Sequence, residues 1–344
     1  MTANRNRQLV LRSRPKGAPG PDNFELRETA MPEPAEGEVL VRGIWLTVDP
    51  YMRGRLREGA SYAAPQKIGE VMTGEVVGEV VRSRSPRLAA GDFVAADIGW
   101  QEYGTACASD VRKLDPAEAP ISTALHVLGM TGLTAYFGLF DICRPRAGDT
   151  VVVSAASGAV GGVVGQLAKI AGCRAVGTVG SDEKARYILG ELGYDAAIDY
   201  RTARDLSAEL AKACPDGIDC YFDNVGGPVS DAAFESLAFG ARVAICGQIS
   251  QYNDTRQAMG PRNLRHFLVR RASLRGFLVF DFRDRYAEGR ARLARWLAEG
   301  ALKYREDISD GLEAAPDALA GLMEGRNFGK KLVRLAEDPT RAQS

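Results

Sequence analysis

The stretch VVVSAASGAVGGVVGQLAKIAGC, residues 151–173, runs from an apolar β-branched segment through a glycine-bearing turn into a segment of helical periodicity. Strand, glycine turn and helix form the local plan of a dinucleotide-binding unit, where backbone closely approaches a pyrophosphate. The usual GxGxxG fingerprint is incomplete: Ala156 stands at the first position, Gly158 at the second and Gly161 at the third. The second position demands the closest approach to the anion, and the third lets the helix lie against the strand. Backbone N–H groups from Ala159 to Gly162, at the helix start, are expected to face the anion. A tight turn without ligand gives the same residues, so the pattern gains weight only from its setting.

That setting is an alternation of strands and helices. TVVVSA (150–155) is read as a buried strand, followed by a helix at about 159–171. RAVGTVG (174–180), a helix from Asp182, AAIDY (196–200), and a helix near 205–213 continue it. GIDCYFDNV (217–225), a helix near 229–238, GARVAICG (240–247), SLRGFLVF (273–280) and a helix near 284–299 complete six strands. Apolar strands alternating with helices predict a parallel sheet covered on both faces, here a doubly wound α/β Rossmann fold. Residues before about 120 read differently. EVLVRGIWLTV, GEVVGEVV and FVAADI are short β-rich runs split by Gly, Pro and Asp turns, which fits a small, partly closed barrel. The domains are read as 1–122 completed by 301–344, where GKKLVRL is strand-like, and 123–300.

The 44 basic and 44 acidic residues give a formal net charge of zero. A nucleic-acid partner is therefore not expected, because a phosphate backbone calls for a basic surface. No apolar run approaches the roughly 20 residues of a membrane span, and MTANRNRQLVLRSRPKG has no signal core. A cytoplasmic protein is expected. The six cysteines are scattered without a CxxC pair and there are only two histidines, so neither a disulfide framework nor a zinc site is expected.

NAD-binding units place Asp or Glu at the end of the second strand to hold the ribose 2′-hydroxyl. Here that strand ends Val179-Gly180-Ser181. Ser181 suits a helix N-cap, which puts Lys184 in the first turn, where a cation opposes the helix dipole. A nearby anion such as a 2′-phosphate explains that lysine. A solvated lysine balanced by Asp182 and Glu183 is the bland alternative. The absent acid and the present lysine favour NADP(H). At other strand ends, Tyr200, Asp223, Asn224, Gln248, Ser250 and Tyr252 are expected near the ligand crevice.

Seven motifs in order resemble the medium-chain dehydrogenase/reductase superfamily, in its zinc-independent branch of leukotriene hydroxydehydrogenases, prostaglandin reductases and NADP-dependent alkenal double-bond reductases. They are VDPYMRGR (48–55), GMTGLTAYFGL (129–139), AASGAVGGVVGQLAK (155–169), VGSDEK (179–184), DCYFDNVGG (219–227), CGQISQYN (246–253) and NFGKKLV (327–333). The resemblance implies a GroES-like fold for the β-rich domain. It implies pyrophosphate contacts at Gly158, Ala159, Val160 and Gly161, and 2′-phosphate contacts at Lys184 and Tyr200. Thr131, Asn224, Cys246, Ile249, Ser250, Tyr252, Phe277, Leu278, Val279 and Asn327 match cofactor positions. Tyr51 and Trp100 match the substrate-cleft wall. Thr131 departs from the family, standing where relatives often carry proline. A homodimer is also implied.

The chemistry that follows is NADPH-dependent reduction of an enal or enone, with Tyr252 as hydrogen-bond donor to the developing enolate oxygen. Quinone reduction within the same superfamily is the rival reading, and a non-enzymatic NADPH-binding protein is the rival of another class.

Overall fold

The computed structural model describes residues 5–59 and 61–341. The chain ends assigned above to the first domain, 1–4 and 342–344, lie outside the described residues. Two compact units emerge: the described residues within 5–125, 306–327 and 331–341 form the first, and 126–305 with 328–330 form the second. Residues 301–305 and 328–330 therefore belong to the second unit, which corrects the assignment of all of 301–344 to the first.

The first unit contains β1 (Arg5–Leu11), β2 (Phe24–Ala30), β3 (Glu38–Thr47), a five-residue helix α1 (Tyr51–Arg55), β4 (Val76–Ser83), β5 (Phe93–Ala96), β6 (Tyr103–Cys107) and β7 (Arg112–Leu114). β1 and β2 form an antiparallel pair in register Arg5↔Ala30 to Leu11↔Phe24. The short runs between Gly and Pro turns become antiparallel ladders, β3 with β4 and β6, β4 with β5, and β5 with β7.

The second unit runs α2 (Met130–Phe137), β8 (Thr150–Val153), α3 (Gly161–Ile170), β9 (Arg174–Val179), α4 (Asp182–Gly190), β10 (Ala196–Asp199), α5 (Leu206–Ala213), β11 (Ile218–Asp223), α6 (Gly227–Glu235), β12 (Leu237–Ile245), α7 (Leu264–Arg270), β13 (Ser273–Gly276) and α8 (Tyr286–Ala298). The chain then returns to the first unit's sheet through β14 (Glu306–Asp310), α9 (Ala315–Met323) and β15 (Lys330–Arg334), with Leu332 to Arg334 of β15 paired to β3.

The six-stranded sheet has the order β10-β9-β8-β11-β12-β13, parallel throughout. This is the doubly wound order, and its direction reverses between β8 and β11. Alternate residues serve opposite faces, as the two-residue strand period requires. Val151, Val153, Cys220 and Phe222 join one buried cluster with Leu133, Val164, Leu167 and Leu293 of α2, α3 and α8. Val152, Tyr221 and Val243 join another with Leu210, Ala232 and Ala233 of α5 and α6.

α2, α7 and the sixth strand differ from the sequence reading, α7 as a helix not read between the fifth and sixth strands. α2 is an additional helix, its side chains almost wholly buried, so it shows no polar face to mark it. The sixth strand ends at Gly276 rather than 280. Phe277 and Val279 stay buried, but the Leu278 N–H donates to the Asp281 carboxylate at 3.1 Å and the chain turns into a 3₁₀ segment.

Candidate active site

The glycine turn is built at the carboxyl end of β8. Ala155 takes a left-handed backbone, φ 50°, which is uncommon for a residue with a side chain. The turn closes with the Gly158 N–H donating to the Ala155 carbonyl at 2.9 Å and the Gly162 N–H donating to the Gly158 carbonyl at 2.8 Å. The Gly162 N–H is thus consumed within the turn rather than offered outward. Ala159 and Val160 donate to no backbone carbonyl among the described residues, which leaves their N–H groups to meet an anion. A Cβ on Gly161 would collide with the Ala155 carbonyl, so glycine there lets α3 start directly on the turn. Ala156 replaces the first glycine because the neighbouring strand yields: a Cβ on Gly177 of β9 would stand 2.6 Å from the Ala156 Cβ.

His126 supports the turn from behind. Its Nε2 lies 3.3 Å from the Ala159 carbonyl, and its ring meets Tyr304 edge-on at 5.7 Å. Burial pushes its pKa down to about 3, with the Lys330 charge acting in the same direction. The ring is therefore neutral, and its Nε2–H donates to that carbonyl.

The end of β9 meets a cation, Arg201, and the hydroxyls of Ser181 and Tyr200. Ser181 caps α4, its Oγ accepting the Lys184 N–H at 3.3 Å. The Tyr200 N–H donates to the Val179 carbonyl at 3.0 Å, which brings the end of β10 beside Gly180. A Cβ on Gly180 would lie 3.0 Å from the Tyr200 hydroxyl and 3.2 Å from Arg201 Nε. Arg201 was missed in the sequence reading, although a cation directly after Tyr200 was the available signal.

At the switch point, Asp223 corrects an expectation. Rather than facing the crevice, it is fully buried and holds the loop after β11. Its Oδ1 accepts from Ser154 Oγ (3.1 Å), Tyr221 Oη (3.1 Å), Val225 N (3.0 Å) and Gly226 N (2.9 Å), and its Oδ2 accepts from Ser230 Oγ (2.6 Å). Asn224 is tied to the end of β8 by its N–H to Ser154 Oγ (2.8 Å) and its Nδ2 to the Ser154 carbonyl (2.7 Å). The loop after β12 lies on this one: the N–H groups of Cys246 and Gly247 donate to the Asp223 carbonyl, and that of Ile249 to the Asn224 carbonyl. The Ser250 hydroxyl closes onto the Val225 carbonyl at 2.7 Å. Burial pushes the Cys246 thiol up to about 12. The Tyr252 hydroxyl accepts the Gln248 N–H at 3.3 Å and is half-buried, and burial raises its pKa.

The remaining expected residues are more dispersed. Thr131 is buried with its hydroxyl on the His126 carbonyl at 2.9 Å. Phe277 and Val279 are core residues, and Leu278 between them is half-buried. Tyr51, Trp100 and Asn327 belong to the first unit. Tyr51 is half-buried, and burial followed by the charge of Asp49 holds its phenol neutral well above the ordinary range. Trp100 is fully buried and stacks on Phe24 at 5.1 Å, which makes it a core residue rather than an exposed cleft wall.

Free N–H groups at the turn, absence of an acid at the Val179–Ser181 strand end, and a cation-and-hydroxyl cluster beside it fit a dinucleotide carrying a 2′-phosphate. Among the described residues no group of three or more His, Cys, Asp and Glu side chains could hold a metal ion, and no helix is long and apolar enough to cross a membrane.

Comparison with known proteins agrees with this geometry. Residues 7–114 match the family described as N-terminal domain of oxidoreductase, and residues 159–295 match the family described as zinc-binding dehydrogenase. The chain is 46% identical to the NADPH-dependent curcumin reductase of Escherichia coli (strain K12) over 339 residues, covering 97% of this chain and 98% of that one. It is 40% identical to the NADP(+)-dependent 2-alkenal reductase of Nicotiana tabacum over 339 residues, covering 97% and 98%. The crystal structure of CurA in complex with NADPH from Vibrio vulnificus superimposes with a TM-score of 0.92 at 46% identity, covering 96% of this chain and 100% of that one.

Proposed function

The chain belongs to the zinc-independent medium-chain dehydrogenase/reductase family, and from that premise we propose that it reduces the carbon–carbon double bond of α,β-unsaturated aldehydes and ketones with NADPH. Bound NADPH supplies the hydride, which goes to the β-carbon of the substrate. The N–H groups of Ala159 and Val160, with Gly158 and Gly161 giving them room, hold the pyrophosphate. Lys184 and Tyr200 hold the 2′-phosphate. Thr131, Asn224, Cys246, Ile249, Ser250, Phe277, Leu278, Val279 and Asn327 are the proposed contacts to the ribose and nicotinamide. Tyr51 is the proposed substrate contact from the first unit.

Tyr252 carries the chemical part of the reading. Its oxygen accepts the Gln248 N–H, so its own proton remains available, and burial keeps it a neutral donor at pH 7. Such a donor stabilises negative charge growing on the substrate carbonyl oxygen. The α-carbon then takes a proton from this tyrosine or from water. No nucleophile is required.

The reading includes a homodimer. β13 is an edge strand with all four residues exposed, Leu274 among them, and α7, the helix before it in the chain, carries exposed Leu264, Leu268 and Val269. An apolar edge of this kind invites a second copy. We further propose a cytoplasmic location, where free thiols such as Cys143 and Cys220 stay reduced.

Steady-state assays with NADPH and NADH, each against enals, enones and quinones, test the reading. Turnover of enals and enones with NADPH supports it. Exclusive turnover of quinones gives the rival reductase, and binding of NADPH without turnover of any class removes the enzyme. Equal use of NADH removes the role of Lys184. Sedimentation velocity tests the dimer.

A further inference from the structure

Gly180 is the point on which the end of β9, the end of β10 and the cap of α4 converge. From a Cβ placed there, the Tyr200 hydroxyl would be 3.0 Å away and Arg201 Nε 3.2 Å away. The next residue, Ser181, binds the Lys184 N–H. Arg201 is thus turned back over the strand end that carries no acid, beside the two residues assigned above to the 2′-phosphate. Its backbone helps to set this direction: the Arg201 N–H donates to Asp199 Oδ1 at 2.9 Å, and its guanidinium carbon lies 6.0 Å from the Tyr200 ring centroid.

We propose that Arg201 is a specificity-determining residue that binds the 2′-phosphate of NADPH as a second cation beside Lys184. The inference rests on the NADPH reading and extends it. A phosphate monoester carries between one and two negative charges near pH 7, more than one lysine balances. A guanidinium adds a planar pair of donors matched to phosphate oxygens, which a lysine does not provide. Gly180 keeps the space between the two strand ends clear, and any side chain there would meet Tyr200 and Arg201 first.

Calorimetric titration with adenosine 2′,5′-bisphosphate and with 5′-AMP tests this without turnover, since the two ligands differ only in the 2′-phosphate. The wild-type protein, Arg201→Ala, Arg201→Lys and Lys184→Ala are compared at two salt concentrations, with unfolding midpoints as a control of folding. Arg201→Ala is expected to weaken the bisphosphate about tenfold, the scale of one charged hydrogen bond, and to leave 5′-AMP unchanged. Its salt dependence should flatten, and Arg201→Lys should recover part of the affinity. Unchanged bisphosphate affinity in Arg201→Ala overturns the proposal. Equal weakening of both ligands also overturns it and assigns Arg201 to the adenine or to the turn. If wild-type protein itself does not distinguish the ligands, the NADPH reading fails, an outcome separate from failure of Arg201 alone.

Discussion

The Gly329 N–H donates to the Ser157 carbonyl at 3.1 Å, and Gly329 forms a parallel bridge with Gly158. The chain's late return, residues 328–330, is therefore fastened to the glycine turn of the second unit. Gly329 has φ 80°, and a Cβ there would run into the Arg305 carbonyl. Gly329→Ala is expected to cost about 2 to 4 kcal/mol in stability, from the left-handed backbone and the clash together. Because the Ser157–Gly158 peptide loses its tether, NADPH affinity should fall in the fraction that stays folded. Chemical unfolding and NADPH fluorescence titration measure the two effects. A variant with wild-type stability would show that the strap is not held in this way.

Asp223 is the anchor on which the switch-point loops depend. Removing its carboxylate leaves Ser154, Tyr221, Ser230 and two backbone N–H groups without their acceptor in a buried place. Asp223→Ala should destabilise the protein by about 3 kcal/mol or more. Loss of cofactor binding should accompany the loss of stability, since Asn224 is held by the Ser154 hydroxyl, which the Asp223 carboxylate orients. Urea unfolding of the purified variant gives the answer; a change under about 1 kcal/mol would mean that water takes over the carboxylate's bonds.

His126 links the turn to pH. Its folded pKa of about 3 lies below the unbound value of 6.5, because burial and then Lys330 oppose the charged ring. Between these two pH values the unfolded chain binds one more proton than the folded chain. This group's contribution is therefore intact above pH 6.5 and is lost progressively as pH falls toward 3. The loss should be about 1 kcal/mol at pH 5.5 and about 2 kcal/mol at pH 5. His126→Gln, which can still donate to the Ala159 carbonyl but does not titrate, should flatten the stability profile by that amount. Equal slopes in variant and wild type would show that His126 is not buried neutral.

Much of this architecture was legible in the chain because it rests on local rules. The apolar runs of β8, β11 and β12 alternate with helices, and Ser181 caps α4 where its side chain and position required. Long-range compensation was not legible. Ala156 can replace a glycine only because Gly177 on the next strand makes room. Asp223 read as a crevice residue since its five partners come from β8, its own strand and loop, and α6. Trp100 read as a cleft wall since its stack on Phe24 joins residues far apart in sequence. α2 hid in plain apolar sequence, because a helix buried on all sides shows no period.

Tyr252 offers the most direct check of chemistry. Its hydroxyl is held by the Gln248 N–H, and Gly247 leaves room beside it, a Cβ there coming within 3.3 Å of the phenol oxygen. Tyr252→Phe removes the proton without disturbing the packing of the ring. It should lower kcat for enones roughly 10- to 100-fold, with the NADPH dissociation constant and the unfolding midpoint little changed. The pH profile carries the sign. Burial raises the phenol pKa from its ordinary value of 10.0, with the Gln248 N–H opposing the shift and the charges of Cys246 and Asp223 adding to it. The neutral donor is therefore present throughout the neutral and mildly alkaline range, and wild-type kcat should decline only above pH 10. That alkaline limb should vanish in the phenylalanine variant. Unchanged kcat on enones in Tyr252→Phe would remove the tyrosine from the reaction and leave proton delivery to water.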